Sequence, residues 1–253
     1  MRISRSNSNS RALMALTAIA LTSIFVVAGC GDDEAENPML PNDPGQAKLR
    51  VLHLSPDAPG VDVFLNSAST PVVSNLEFQS GTAYVLVDAG SYRIDIAAHG
   101  DAIDQAVLTV PSLALDADRS YTAVAYNSLF QIAPLALVDE LEGLASDKIR
   151  VRAIHTAVGI GQVDIWNIPS SGAPSILYED VDFSAVGPYF DLPAGAYTLG
   201  FDVNNDATPD VVFSLPALPG GTIANVFAVT DQSGTPFLLA QLQDGSVARI
   251  DVN

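Results

Sequence analysis

Apolar and polar residues alternate with a period of two along short stretches of this chain. Leu49 to Leu54 and Tyr92-Arg93-Ile94-Asp95-Ile96 show it most clearly. That period puts successive side chains on opposite faces of a half-buried strand. Val61 to Leu65, Ala83 to Val87, Ala106 to Val110, Tyr121 to Tyr126 and Ala133 to Val138 predict five more strands in the first half. The second half predicts a matching set at Val151 to His155, Val163 to Ile168, Tyr189 to Leu192, Tyr197 to Asp202, Val211 to Leu215, Ile223 to Val229 and Pro236 to Leu242. Gly, Pro, Asn and Asp separate them at intervals of about ten residues.

The two halves are one unit written twice. Arg50-Val51-Leu52-His53 aligns with Arg152-Ala153-Ile154-His155, and Val61-Asp62-Val63 with Val163-Asp164-Ile165, at an offset of 102. After a three-residue gain near Ile168 to Gly172 the offset is 105. It then pairs Phe78 with Phe183, Ala89-Gly90-Ser91-Tyr92 with Ala194-Gly195-Ala196-Tyr197, and Pro111 with Pro216. A self-match with this order predicts a tandem duplication, with repeat 1 at 48–139, a connector at 140–147 and repeat 2 at 148–253. Seven short strands per repeat predict an all-β protein of two tandem Greek-key, immunoglobulin-like β-sandwich domains. A small barrel is the competing solution. In Ala-Gly-x-Tyr, the Tyr offers a ring for packing and a hydroxyl for a nearby backbone group.

The first 29 residues are an address. Arg2, Arg5 and Arg11 precede the uncharged run Ala12 to Gly29, the pattern of a cleaved secretory signal. Val27-Ala28-Gly29-Cys30 resembles the bacterial lipobox, which implies lipidation at Cys30. Cys30 is the one cysteine of the chain, so no internal disulfide can form. A retained transmembrane anchor is the alternative reading of the run. Gly31, rather than Asp, follows Cys30, which favours placement at the outer membrane, on its periplasmic side or at the cell surface. The acidic, Pro-rich stretch that follows, up to residue 47, reads as a tether.

Composition narrows the partners. The net charge of −18 becomes −21 without Arg2, Arg5 and Arg11. That argues against nucleic acid, whose backbone requires a basic face. Hydrophobic residues make up 48% and charged ones only 16%, which excludes a disordered chain.

His53-Leu54-Ser55-Pro56-Asp57-Ala58-Pro59-Gly60-Val61-Asp62-Val63 resembles the signature of a bacterial and archaeal family, domain of unknown function 4397. The resemblance covers 48–139 well and 148–244 more loosely. There His155 and Asp164 persist, but Ala157-Val158-Gly159 stands where Ser55-Pro56-Asp57 would be. It implies export and tandem arrangement, with no established activity. The residues His53, Ser55, Pro56, Asp57, Asp62, His155 and Asp164 read as structural. His53, Ser55 and Asp57 are too close in sequence for a catalytic triad, which is assembled from separated segments.

Asp202, Asn204, Asp206 and Asp210 place oxygen-bearing side chains at the spacing of a Ca²⁺ loop. Ala207 stands where such loops usually carry Gly, and a polar hairpin turn is the other reading. The function expected is a lipid-anchored envelope protein, not an enzyme, with a binding, adhesion or structural role toward a glycan or protein ligand. The alternative is a polysaccharide hydrolase using carboxylates at the domain interface.

Overall fold

The computed structural model describes residues 45–253. Cys30 and the signal therefore lie outside the described residues. Repeat 1 contains β1 (Gln46–Leu54), β2 (Val61–Leu65), β3 (Val73–Leu76), β4 (Ser80–Gly81), β5 (Val85–Asp88), β6 (Gly90–Ala98), β7 (Leu108–Leu115), β8 (Ser120–Tyr126) and β9 (Ala133–Asp139). Repeat 2 contains β10 (Lys148–His155), β11 (Val163–Asn167), β12 (Ser175–Val181), β13 (Phe190–Pro193), β14 (Gly195–Asp202), β15 (Val211–Leu218), β16 (Ile223–Thr230), β17 (Pro236–Leu242) and β18 (Val247–Asp251). No α-helix occurs among the described residues.

Each repeat is a two-sheet sandwich, as the strand pattern predicts. In repeat 1 one sheet runs β4-β1-β8-β9, with β5 also on β1, and the other runs β3-β2-β6-β7. Repeat 2 has β13-β10-β16-β17-β18 and β12-β11-β14-β15. In both, the first strand pairs in parallel with the strand that follows the second sheet, β1 with β8 and β10 with β16. Four strands go unpredicted, β4 among them because two residues are too few to show a period. β3 and β12 are irregular, because register shifts interrupt their pairing with β2 and β11, and a bulge disrupts alternation. β18 is a carboxy-terminal addition on β17.

The two sandwiches form one compact body. One apolar core lies inside repeat 1, around Val61, Val63, Ile94 and Ile96. Another lies inside repeat 2, around Val163, Ile165, Phe201 and Phe213. A third joins them, packing Leu52, Leu54, Val124, Tyr126 and Leu137 against Ile154, Phe227, Val229, Phe237 and Leu239. The β1 and β10 sheets are therefore the inner layers of a four-layer stack, covered on both faces. This explains why β16, Ile-Ala-Asn-Val-Phe-Ala-Val-Thr, is buried at every position. A strand covered on both sides has no solvent face to mark with polar residues.

Candidate functional site

The repeated polar residues converge where the repeats meet. Arg50 on β1 and Arg152 on β10 are both buried. Asp139, at the end of β9, has a fully buried carboxylate between them. Arg152 Nη2 donates to Asp139 Oδ1 at 2.8 Å, and Arg50 Nη2 lies 3.5 Å from Oδ2. Tyr84 and Thr122 hydroxyls donate to Oδ2, and the Asn225 amide donates to Oδ1 at 2.9 Å. Each guanidinium also stacks on a tyrosine of its own repeat, Arg50 on Tyr84 and Arg152 on Tyr189, both 4.4 Å from the ring centroid.

Each Nε donates within its own repeat, Arg50 to Thr122 Oγ1 and Arg152 to Asn225 Oδ1, while the Nη1 donors cross between repeats. Arg50 Nη1 donates to the Leu242 carbonyl, and Arg152 Nη1 donates to the Val138 carbonyl at 3.0 Å. Burial pushes up the Tyr84 hydroxyl, and the nearby Asp139 charge adds to it. Burial likewise pushes Tyr189 up to about 12. Both phenols thus stay protonated and act as donors. A carboxylate with both oxygens taken by fixed donors is a structural latch, because it has no lone pair directed at an incoming substrate. The latch and the apolar core occupy the centre of the seam, and a pocket of about 680 Å³ beside them is lined by Asp118, Asp139, Glu140 and Glu142.

The signature loop is held from within. His53 Nε2 donates to the Pro59 carbonyl at 3.2 Å, and Nδ1 accepts the Ser55 N–H at 3.3 Å. Repeat 2 reproduces this: His155 Nε2 donates to the Gly161 carbonyl at 2.7 Å, and Nδ1 accepts the Ala157 N–H. Burial pushes both imidazoles below the usual histidine range, only partly opposed by those carbonyls. Asp57 accepts the Leu129 N–H at 2.7 Å, so it ties its loop to the one after β8. Pro56 is buried in the same turn, and the buried Ser55 hydroxyl has no partner among the described residues. His53, Ser55 and Asp57 thus do not assemble a proton relay.

Asp62 takes four donors: the Ser74 hydroxyl, the Asn75 and Gly100 N–H groups, and His99 Nδ1 at 2.9 Å. Its burial alone would raise the carboxyl, but these donors outweigh it and hold it far below the usual range. Asp164 accepts the Asp180 N–H at 2.7 Å. Tyr92 and Tyr197 donate to carbonyls four residues upstream, Asp88 and Pro193, each at 2.7 Å. The recurrent Ala-Gly-x-Tyr element is thus a strand corner in both repeats.

The 202–210 loop uses its oxygens on its own backbone. Asp202 accepts N–H groups from Asn204, Asn205, Asp206 and Ala207. Asn204 Oδ1 accepts from Asp206, Asp206 from Thr208, and Asp210 from Val203. Ala207 adopts φ of +65°, the left-handed conformation that Gly favours, and supplies the turn itself. Among the described residues no group of three or more His, Cys, Asp or Glu side chains is arranged to hold a metal ion. The loop is a backbone-stapled turn in this arrangement.

Sequence reasoning missed the latch. Arg50 and Arg152 opened the very segments that revealed the duplication, but an Arg within an alternating strand reads as solvent-facing. Leu49 and Val51 on one face of β1, with Leu52 and Leu54 following, carried the signal that the Arg row is covered too.

Several known proteins resemble this chain. The Bacillus anthracis TIE protein superposes with a TM-score of 0.23 and 12% identity, covering 81% of this chain and 43% of that one. A streptococcal virulence factor that binds alpha-glucan superposes with a TM-score of 0.23 and 13% identity, covering 79% of this chain and 95% of that one. Translation initiation factor IF-2 of Roseobacter denitrificans is 30% identical over 156 residues, which is 60% of this chain but only 18% of that much longer protein. The family described as Domain of unknown function (DUF4397) matches residues 47–166, the whole of repeat 1 and the first two strands of repeat 2, and over that segment this chain is similar to it.

Proposed function

We propose that this chain is a non-enzymatic, lipid-anchored envelope protein that presents a stiff four-layer β body for binding or structural support. One observation carries the reading: the polar residues that both repeats retain are spent on the fold itself. His53 and His155 hold their own loops, Tyr92 and Tyr197 close strand corners, and Arg50 and Arg152 share the Asp139 carboxylate. Duplication has copied structural staples rather than a reactive centre. The lipobox-like Val27-Ala28-Gly29-Cys30 supports anchoring, and Gly31 supports the outer membrane.

Radiolabelled palmitate supplied to cells making the full chain should enter the protein and follow it into the membrane fraction. Cys30→Ala should abolish the label and release the protein. Label retained by the Cys30→Ala chain would sink the anchor. Incubating the purified protein with envelope polysaccharide should release no new reducing ends, and their release by the wild type but not by Asp139→Asn would make it a hydrolase instead.

A further inference from the structure

The two repeats differ at one edge. In repeat 2, Tyr178 on β12 and Phe190 on β13 pack ring to ring, 5.0 Å between centroids. They close the gap between the two sheets and leave only about 40 Å³ there. Strand register gives their counterparts in repeat 1. Val73 faces Val63 as Tyr178 faces Ile165, and Val85 faces Leu49 as Phe190 faces Val151. Two valines replace two aromatics, and the space opens into a groove of about 420 Å³ walled by Leu49, Val51, Val63, Val73, Val85 and Val87. That volume lies within the ~300–1,000 Å³ of small-ligand sites.

The edge strands differ in the same sense. β13 is Phe190-Asp191-Leu192-Pro193, with Asp191 tied to Arg150 at 2.7 Å. A charge and a proline are devices that stop an edge from pairing. β5 is Val85-Leu86-Val87-Asp88, with Leu86 where Asp191 stands and Asp88 where Pro193 stands. Val85 and Leu86 are 56% and 62% exposed, and Val72 across the groove is 57% exposed. β5 pairs with β1 on one side, and among the described residues no strand lies on its other side.

We infer that this groove and the free edge of β5 accept an extended segment of another polypeptide, which adds to β5 as a strand and places aromatic side chains between the sheets. Repeat 2 shows what fits the space: a pair of aromatic rings. The open backbone beside it selects a peptide over a small apolar molecule, because an added strand gains main-chain hydrogen bonds with alternate side chains in the groove. A second copy is a poor occupant. Each copy carries −18, and Asp88 sits exposed at the end of the edge. Three exposed apolar side chains also fall well short of the ~1,200 Å² that two folded bodies bury in a stable complex. The segment that fits is therefore aromatic at alternate positions and basic at its flanks. This inference rests on the reading of the chain as a binding module and specifies the surface.

The test uses the acetylated, amidated peptide Lys-Phe-Thr-Tyr-Thr-Phe-Lys and the full chain. The reordered peptide Lys-Phe-Phe-Tyr-Thr-Thr-Lys, without the alternation, is the control. The alternating peptide should bind, with affinity about tenfold lower for the control and for Leu86→Asp. The double variant Val73→Tyr with Val85→Phe rebuilds the closed edge of repeat 2. It should melt higher than the wild type and lose the peptide. No binding to the wild type, equal binding by the filled variant, or a dimer in sedimentation that Leu86→Asp dissolves would each overturn the inference. Palmitate labelling and reducing-end release are unaffected by any of these results, so failure here is separate from failure of the envelope reading.

Discussion

Arg50 and Arg152 reach opposite oxygens of one buried carboxylate. Arg50 faces Asp139 Oδ2 and Arg152 donates to Oδ1, so a single acid from the end of β9 is shared by equivalent bases of the two repeats. The register gives Asp139 a counterpart in Gln243, which follows β17 and bonds Ile223 instead. Two cations therefore depend on one anion and on the carbonyls of Leu242 and Val138.

Replacing Asp139 with Asn should destabilise the protein by about 3–5 kcal/mol, since removing one member of a buried charged set leaves the rest unpaired. Denaturant unfolding of wild type and Asp139→Asn checks it. A loss below about 1 kcal/mol would mean that the guanidiniums find solvent on their own.

Acid should loosen the fold before the carboxylates titrate. His53 and His155 have pKa values below 6.5 when folded, while the unfolded chain has them near 6.5. Their contribution is complete above 6.5. As pH falls below that value, the unfolded state takes up protons first, and stability drops by at most about 1.4 kcal/mol per pH unit per histidine until the folded pKa is reached. Melting temperatures from pH 7.5 to 5 should decline, and His53→Gln with His155→Gln should flatten the slope.

Asp202→Ala should cost about 1–3 kcal/mol, because four N–H groups lose their acceptor. The loss should be the same in millimolar Ca²⁺ and in chelator. A wild-type melt that rises with Ca²⁺, and a variant that does not, would turn the stapled turn into a metal site.

Gly245 reports on the seam between the repeats. It has φ of +91°, and a Cβ there would meet the Ala83 Cα and the Thr82 carbonyl oxygen, each at 2.7 Å. Gly245→Ala should cost about 1–3 kcal/mol through strain and crowding. Unfolding should remain a single transition, since the seam belongs to one core.

Much of this architecture was legible in the chain. Alternation located β1 and β6, and the self-match located both repeats. Recurrence marked His53 with His155 and Tyr92 with Tyr197 as parts of the fold. The shared core was not legible, because a strand buried on both faces, such as β16, carries no alternation to read. Nor was the latch: Asp139 sat at the boundary of a repeat, where an acid looks like the start of a connector. The 202–210 spacing marked a run of oxygen-bearing side chains. It could not tell whether a cation or the backbone's own N–H groups would occupy them.

The placement of β1 has a mechanical consequence. β1 is the first strand of the body, and it is gripped on both edges, antiparallel by β5 and parallel by β8. Tension entering at Gln46 runs along the strand and across its hydrogen bonds. It meets them in shear, so the rungs to β8 must slip together rather than unzip one at a time. A body pulled from its amino end thus resists at its centre, with the second repeat packed behind that strand as a backing plate.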